Sequence, residues 1–129
     1  MANTIRTDQG GTMIDVKLAD EIKFGKVKWF STKDGKNFGF ILRNGQPDLH
    51  FHHANGTAWR RVNDVFCFAD PFDHKPSCYA EAGSIIYYIE GMRRGKPTAT
   101  AWALGEDLNK FVEAQERAEQ AKREIWNGM

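Results

Sequence analysis

The chain has 129 residues, enough for one domain with a short appendage. Its hydrophobic fraction of 41% allows a packed core, and nine Phe, four Trp and three Tyr supply large apolar groups for a small β-rich domain. No stretch approaches the length of a membrane span, so we expect no association with a membrane.

The formal net charge of +1 conceals an uneven distribution along the chain. Residues 22–104 hold twelve Lys or Arg against seven Asp or Glu, a net charge of +5. Residues 1–21 and 105–129 each carry a net charge of −2. A basic middle between acidic ends favours a polyanionic partner, with a plain solvated surface as the alternative at this modest charge.

Cys67 and Cys78 are the only cysteines. The first eleven residues, MANTIRTDQGG, contain no apolar stretch of the kind found in signal sequences. We therefore expect a cytoplasmic protein with two reduced thiols, and a disulfide or a shared metal stay open as alternatives.

In chain order, residues 1–21 are polar, include Gly10-Gly11, and are predicted to form a flexible N-terminal arm. The alternating segment IDVKL within them allows a short strand at residues 14–18. Residues 22–104 then contain five predicted strands, at residues 24–31, 36–42, 48–53, 84–90 and 98–104. Strands without a crossover helix predict a mainly β fold, an antiparallel barrel of five strands.

Two further segments complete the chain. Residues 55–82 contain a β-prone run at residues 65–68 and are predicted to be an insertion with one extra strand or helical turn. Residues 105–129 are predicted to form a C-terminal amphipathic helix that starts at Gly105 and ends at Gly128.

The strand SIIYYIE is apolar on both faces and needs a cover. The helix offers an apolar stripe at three- and four-residue spacing, made of Leu104, Leu108, Phe111, Ala114, Ala118, Ala121 and Ile125. We expect the helix to cover this strand. The insertion is a competing cover, and a homodimer or another protein partner bound through the helix is a further alternative.

The alternation of KNFGFI places Lys36, Phe38 and Phe40 on one face of a strand. In DLHFHH, His50 and His52 lie opposite the apolar positions. We expect these rings on the outside of the barrel, where single-stranded bases would stack on them. The neighbouring cations that would neutralise phosphates are Lys26, Lys28, Lys36 and Arg43. A core position for the two phenylalanines is the alternative.

The segments GKVKWFS, KNFGFI and DLHFHHAN, followed by GSIIYYIEGMRRGKPTATAW, resemble in this order the cold-shock domain family. The resemblance implies a five-stranded antiparallel OB-fold barrel. It also implies that single-stranded RNA or DNA binds with low sequence specificity, as in RNA chaperones. The implied binding surface is Lys28, Trp29, Phe38, Phe40, His50, His52 and His53, and the loop after the fourth strand adds Arg93 and Arg94.

The chain departs from the family pattern at several positions. Asn37 replaces a Gly, His50 and His53 stand where Phe is usual, and the segment after the third strand is much longer. Strict alternation also places Trp29 opposite Lys28 and Phe30, so an exposed Trp29 requires a bend or bulge in the first strand. A core Trp29 and a merely solvated loop at residues 93–96 are the alternatives.

Other classes of function receive less support. His50, His52 and His53 could bind a divalent metal with a further ligand, but no C-x-x-C or H-E-x-x-H pattern accompanies them. No nucleotide-binding loop or nucleophile elbow is present. We expect a protein that is not an enzyme and needs no cofactor. A protein-interaction module that uses the helix and residues 55–82 is the main rival.

Overall fold

The computed structural model describes the backbone of residues 3–9 and 12–127 and the side chains of residues 16–118. Gly10 and Gly11 of the predicted N-terminal arm lie outside the described residues, as does Gly128, the predicted end of the helix. The described elements, in chain order, are β1 (Asn3–Gln9), β2 (Thr12–Leu18), β3 (Ile22–Ser31), β4 (Phe38–Leu42), β5 (Leu49–His52), β6 (Trp59–Val62), β7 (Val65–Phe68), β8 (Ile85–Arg93), β9 (Lys96–Leu104) and the helix α1 (Gly105–Asn127).

Five strands close into a barrel in the order β3, β4, β5, β9, β8. The prediction of a mainly β protein with a five-stranded barrel and a C-terminal helix is confirmed. The prediction that all strands pair antiparallel is wrong, because β5 and β9 run parallel at His50–Thr98 and Phe51–Ala99. Antiparallel neighbours must alternate in direction, so a closed ring with an odd number of strands contains at least one parallel pair.

The barrel interior is filled by inward side chains from all five strands. These include Val27, Ile41, Leu49, Phe51, Ile86, Tyr88, Ala99 and Trp102, all buried. The Trp102 indole Nε1 donates a hydrogen bond of 2.8 Å to the His52 carbonyl oxygen, so the polar edge of this buried ring is satisfied. Trp102 is therefore a core residue.

The N-terminal segment differs from the predicted flexible arm. β1 and β2 pair antiparallel, and the Ala19 amide donates to the Phe66 carbonyl oxygen at 3.0 Å. Val16 and Leu18 are buried, because alternation in IDVKL turns both toward one apolar face. The strand noted as an alternative at residues 14–18 therefore belongs to a sheet.

The insertion contributes a hairpin, one strand more than predicted. β6 and β7 are joined by Asn63 and Asp64, which both have positive φ, 52° and 65°. Two successive residues in this region form the tight turn that suits the twist of paired strands, and Asn and Asp tolerate it. With β1 and β2 the hairpin forms a second sheet in the order β1, β2, β7, β6.

A second core joins this sheet and the helix to the outside of the barrel. Its buried members are Val16, Leu18, Ile22, Trp59, Phe66, Tyr87, Ala103, Leu108 and Val112. Tyr87 comes from the strand SIIYYIE, so the expected cover of this strand is present. Both candidates provide it, since Leu108 of the helix and Trp59 of the insertion share the core.

The buried side of the helix differs in part from the predicted stripe. Leu108 and Val112 are buried and Phe111 packs beside them, whereas Ala114 and Ala118 are exposed. The side chains of Ala121 and Ile125 lie outside those described. The described part of the chain contains no helix with the length and apolar character needed to cross a membrane.

Replacing Leu108 by Ala tests whether the helix is part of the folded domain. Leu108 is fully buried, and we expect Leu108→Ala to lower the free energy of unfolding by about 2–5 kcal/mol. The measurement is urea unfolding followed by Trp fluorescence. The control is Lys110→Ala, at an exposed position of the same helix. Equal stability of the two variants would mean that the helix contributes little to the second core.

Candidate nucleic-acid interface

A bulge in β3 determines where Trp29 points. In the pairing with β4, Val27 lies opposite Ile41 and Trp29 opposite Phe40, so the register shifts at Lys28. Val27 is buried, whereas Trp29, two residues later, is 38% exposed. A regular strand would place both on the same face. The bulge that an exposed Trp29 required is therefore confirmed, and the alternative of a core Trp29 is wrong.

Gly39 on β4 accommodates this bulge. A Cβ atom added to Gly39 would lie 2.2 Å from the Trp29 carbonyl oxygen and 2.9 Å from the Phe30 Cα atom. No side chain fits in that space, so only glycine lets β3 approach β4 this closely. The glycine of KNFGFI is thus a structural requirement of the exposed tryptophan.

Trp29, Phe38, Phe40 and His50 form a cluster of rings on the outside of the barrel, which we call the aromatic surface. The Trp29 ring centroid lies 5.6 Å from that of Phe38 and 5.3 Å from that of Phe40. The His50 centroid lies 5.3 Å from Phe38 and 5.7 Å from Phe40. Both phenylalanines are half-buried, and neither belongs to the barrel core. Their predicted outward direction is confirmed.

His50 is held in one orientation by Thr98 of β9. The Thr98 hydroxyl donates to the His50 carbonyl oxygen at 2.9 Å, and its oxygen lies 3.1 Å from His50 Nδ1. Because the single hydroxyl proton is used in the first bond, Nδ1 is the donor in the second, and the neutral ring carries its free lone pair on Nε2. Burial lowers the pKa of His50, and the nearby charges of His52 and Arg93 lower it further.

His52 lies next to the aromatic surface, where it pairs with Phe38 across strands β4 and β5. Its Nδ1 accepts a hydrogen bond of 3.0 Å from the Ala54 amide and so caps the short turn His53–Asn55. The capping bond fixes the ring at the end of β5. His52 therefore has both a structural partner and an outward face.

His53 does not join the aromatic surface, in contrast to the prediction. Its ring centroid lies 4.5 Å from that of Tyr79 and 6.3 Å from that of Phe30. The reason is local, since β5 ends at His52 and the following turn rotates His53 away. Its buried Nδ1 has no hydrogen-bond partner. Burial lowers the pKa of His53, with smaller contributions from the charges of Lys75 and His52.

The predicted cations fall into two groups. Lys26, Lys28 and Lys36 are exposed, although Lys28 Nζ pairs with Asp48 at 2.9 Å. Arg43 points elsewhere, and its predicted place beside the phosphates is wrong. Following Leu42, it has inward parity. Its largely buried guanidinium bonds to the Glu90 carboxylate and, through Nε, to the Pro47 carbonyl oxygen at 2.8 Å.

The turn between β8 and β9 brings two more predicted cations to the aromatic surface. Arg94 and Gly95 both have positive φ, 53° and 74°, which makes the turn tight. A groove of about 890 Å³ separates this turn from β5. Its lining includes Phe40, Asp48, His50 and His52 together with Arg93, Arg94 and Lys96 from the turn. Arg93 and Arg94 therefore share a groove with rings of the aromatic surface.

Tyr79 is a surface ring that the sequence did not indicate. It belongs to a loop held against α1, where the Ser77 hydroxyl donates to Asp107 at 2.5 Å and the Cys78 thiol to Glu106 at 3.2 Å. Ala80 of the same loop is buried in the barrel core. The segment has no strand or helix periodicity, so only the tertiary contacts bring Tyr79 to His53.

Asn37 has a backbone conformation that is uncommon outside glycine. Its φ is +53°, a conformation that favours glycine and that Asn adopts more readily than most residues. Asn37 therefore holds, in the loop before β4, a backbone conformation that otherwise favours glycine. Its carbonyl oxygen accepts a 2.8 Å bond from the His53 amide, which ties the loop to the end of β5.

No protein-family model matches the chain, and no curated protein matches it. Among the residues that the structure describes, no group of three or more His, Cys, Asp or Glu side chains is placed to hold a metal ion. Cys67 and Cys78 are both free thiols.

The lowered pKa values of His50 and His53 predict a pH dependence of stability. The unfolded rings protonate near pH 6.5. As the pH falls below that value, the unfolded state binds more protons than the folded state, so the free energy of unfolding decreases. NMR titration of the two rings should give midpoints below 6.5, and urea unfolding should show lower stability at pH 5.5 than at 7.5. Midpoints at or above 6.5 would contradict the burial argument.

Proposed function

We propose that this protein binds single-stranded RNA or DNA with low sequence specificity on the aromatic surface and the groove beside it. The observation that carries the proposal is the ring cluster on the outside of a closed barrel. Four rings with centroid separations of 5.3–6.2 Å lie beside a groove flanked by two arginines and a lysine.

Stacking is the interaction that such a cluster offers. Aromatic rings exposed to water on the outside of a barrel are energetically unfavourable unless a partner covers them. Every nucleobase has a flat π-face, so a base can stack on Trp29, Phe38 or Phe40 whatever its identity, at about 1–3 kcal/mol per base. The His50 Nε2 lone pair adds a hydrogen-bond acceptor beside these rings. The arrangement favours single strands, because bases in a duplex hide their faces.

Cations that would bind the phosphates of the strand lie on two sides of the aromatic surface. Lys36 lies before β4, and Arg93, Arg94 and Lys96 line the groove. Lys28 already pairs with Asp48, so its contribution depends on a phosphate displacing that carboxylate. His50 would add positive charge only at a pH below 6.5, because burial lowers its pKa.

An OB-fold of the cold-shock type is the fold identity that fits the proposal. In OB-folds the second and third strands, with the first-to-second and fourth-to-fifth loops, bind oligonucleotides. Here β4 and β5 are the second and third barrel strands and carry Phe38, Phe40, His50 and His52. Arg93 and Arg94 belong to the fourth-to-fifth turn. The resemblance of three ordered sequence motifs supports the same identity and a role in RNA chaperoning or strand protection.

The rival proposal is a protein-interaction module, and most of the apolar residues that it would use are buried within the domain. Leu108 and Val112 of the helix and Trp59 and Phe66 of the insertion are buried together in the second core. Phe72 of the insertion, 90% exposed, is the residue that still favours a protein partner. It serves as the control position in the binding experiment.

Removal of single rings tests the stacking contribution. We expect Phe38→Ala and Phe40→Ala each to weaken binding of oligo-dT or oligo-U by about 1–3 kcal/mol. Fluorescence anisotropy of a labelled oligonucleotide measures the Kd, and thermal unfolding checks the fold. Phe72→Ala, which removes a more exposed ring elsewhere, should leave the Kd unchanged. Unchanged binding by folded Phe38→Ala and Phe40→Ala variants would contradict the proposal.

Salt dependence tests the phosphate contacts. With three to five phosphates neutralised, log K against log[salt] should fall with a slope of about −2 to −4 for single strands. The comparison is a duplex of the same length, which should bind more weakly at every salt concentration. A flat slope would remove the cations from the site, and a preference for the duplex would contradict the single-strand proposal.

A further inference from the structure

Two large apolar side chains on the barrel wall lie outside the aromatic surface. Phe24 on β3 is 64% exposed and Leu42 on β4 is 46% exposed. Gly25 and Val27 point into the barrel, so Phe24 and Lys26 share the outward face of β3. The second core covers neither Phe24 nor Leu42. An exposed pair of this kind on one wall indicates a contact surface.

The pair continues the aromatic surface along the same two strands. Trp29 lies opposite Phe40, and the next outward pair down the strands is Lys26 opposite Leu42. Phe24 follows two residues beyond Lys26. At about 3.3 Å per residue, Phe24 lies about 13 Å along the wall from the Trp29–Phe40 pair. A cation, Lys26, occupies the interval.

A groove lies beside Phe24 and has the chemistry of a nucleotide site. It has a volume of about 890 Å³ and is lined by Phe24, Lys23, Lys26, Asn44 and Gln46, among others. The ring offers a stacking face, the two ammonium groups attract phosphate, and the two amides can pair with base edges. The Glu90 carboxylate also lines the groove and pairs with Arg43 and, at 3.8 Å, with Lys23 Nζ. Together with Lys26, the groove therefore has three cations against this one carboxylate.

Phe24 is supported on one side. Its ring centroid lies 5.9 Å from that of Tyr87 at an interplanar angle of 40°. Tyr87 is itself buried in the second core, so this contact holds the Phe24 ring against a rigid neighbour. A ring that is fixed before binding loses little conformational entropy when a base stacks on it.

We infer that the groove beside Phe24 is a further nucleotide subsite, which takes a base of the same single strand that covers the aromatic surface. The inference rests on the proposed function and extends its footprint down β3. Continuity along β3 and β4 and the positive charge of Lys23 and Lys26 favour nucleic acid over a protein occupant. The subsite adds affinity only for strands long enough to reach it.

The test compares two oligonucleotide lengths. Oligo-dT of about 4 nucleotides covers the aromatic surface alone, and oligo-dT of about 12 also reaches Phe24; both fall within the site sizes of OB-type barrels. Anisotropy gives the Kd of each for the wild type and for Phe24→Ala. We expect Phe24→Ala to weaken binding of the 12-mer about fivefold or more and to leave the 4-mer unchanged. Phe72→Ala should change neither.

A second variant covers the case in which Phe24→Ala perturbs the fold. Lys26→Gln keeps a long polar side chain at an exposed position and removes its charge. It should reduce the salt slope of 12-mer binding by about 0.7, the contribution of one phosphate contact, with no change for the 4-mer. A slope that is unchanged for both lengths would remove Lys26 from the footprint and overturn the inference.

The outcomes separate this inference from the proposed function. A wild type that binds neither length refutes the proposed function itself. A different result refutes only the subsite. In that case both oligonucleotides bind and Phe38→Ala weakens both, but Phe24→Ala and Lys26→Gln leave the higher affinity for the 12-mer unchanged. Sedimentation that shows a dimer in the wild type and a monomer in Phe24→Ala would assign the groove to a second copy of the chain and overturn the inference.

Discussion

The bulge at Lys28 is the constraint on which the candidate interface depends. It changes the facing of β3 within two residues, so that Val27 packs in the barrel, Trp29 turns outward and Phe30 turns inward to stack 5.6 Å from Phe51. Without it, Trp29 would point into the barrel with Val27, and Phe30 would point outward. The space for the bulge exists because Gly39 has no side chain opposite Trp29. One backbone irregularity thus exposes a large ring and leaves the core well filled.

The second core explains how a small barrel supports additional segments. The strand SIIYYIE alternates its side chains between two apolar environments, with Ile86 and Tyr88 in the barrel and Tyr87 in the second core. The β2 strand, the β6–β7 hairpin and the first turns of the helix each contribute to that second core. Because these three elements share the second core, their stabilities are coupled. A cavity at Leu108 therefore also destabilises β2 and the β6–β7 hairpin, which are distant in sequence.

Histidine has different roles at three neighbouring positions. His50 faces the groove with one nitrogen bonded to Thr98, His52 caps a turn, and His53 packs on Tyr79. The common feature of His50 and His53 is partial burial, which disfavours the protonated ring and lowers both pKa values. At neutral pH these two rings are uncharged, so they act through their flat faces and ring nitrogens, and the Lys and Arg side chains provide the positive charge.

The sequence by itself determined the features that depend on local pattern. Alternation in KNFGFI and DLHFHH indicated which faces of β4 and β5 point outward, and the two-sided apolar strand indicated that β8 needed a cover. Parity also showed that an exposed Trp29 would require a bend or bulge in β3. Each of these follows from the period-two geometry of a strand, which local sequence expresses directly.

Only the tertiary structure decided the features that depend on partners far along the chain. The parallel pair of β5 and β9 follows from closing an odd number of strands. The strand β2 belongs to a sheet because its residue Leu18 pairs with Phe66 of β7, 48 residues later in the chain. Arg43 is withdrawn from the surface by Glu90, and Tyr79 is brought to His53 by a loop fixed to the helix. Such contacts join residues of large sequence separation, and no local periodicity encodes them.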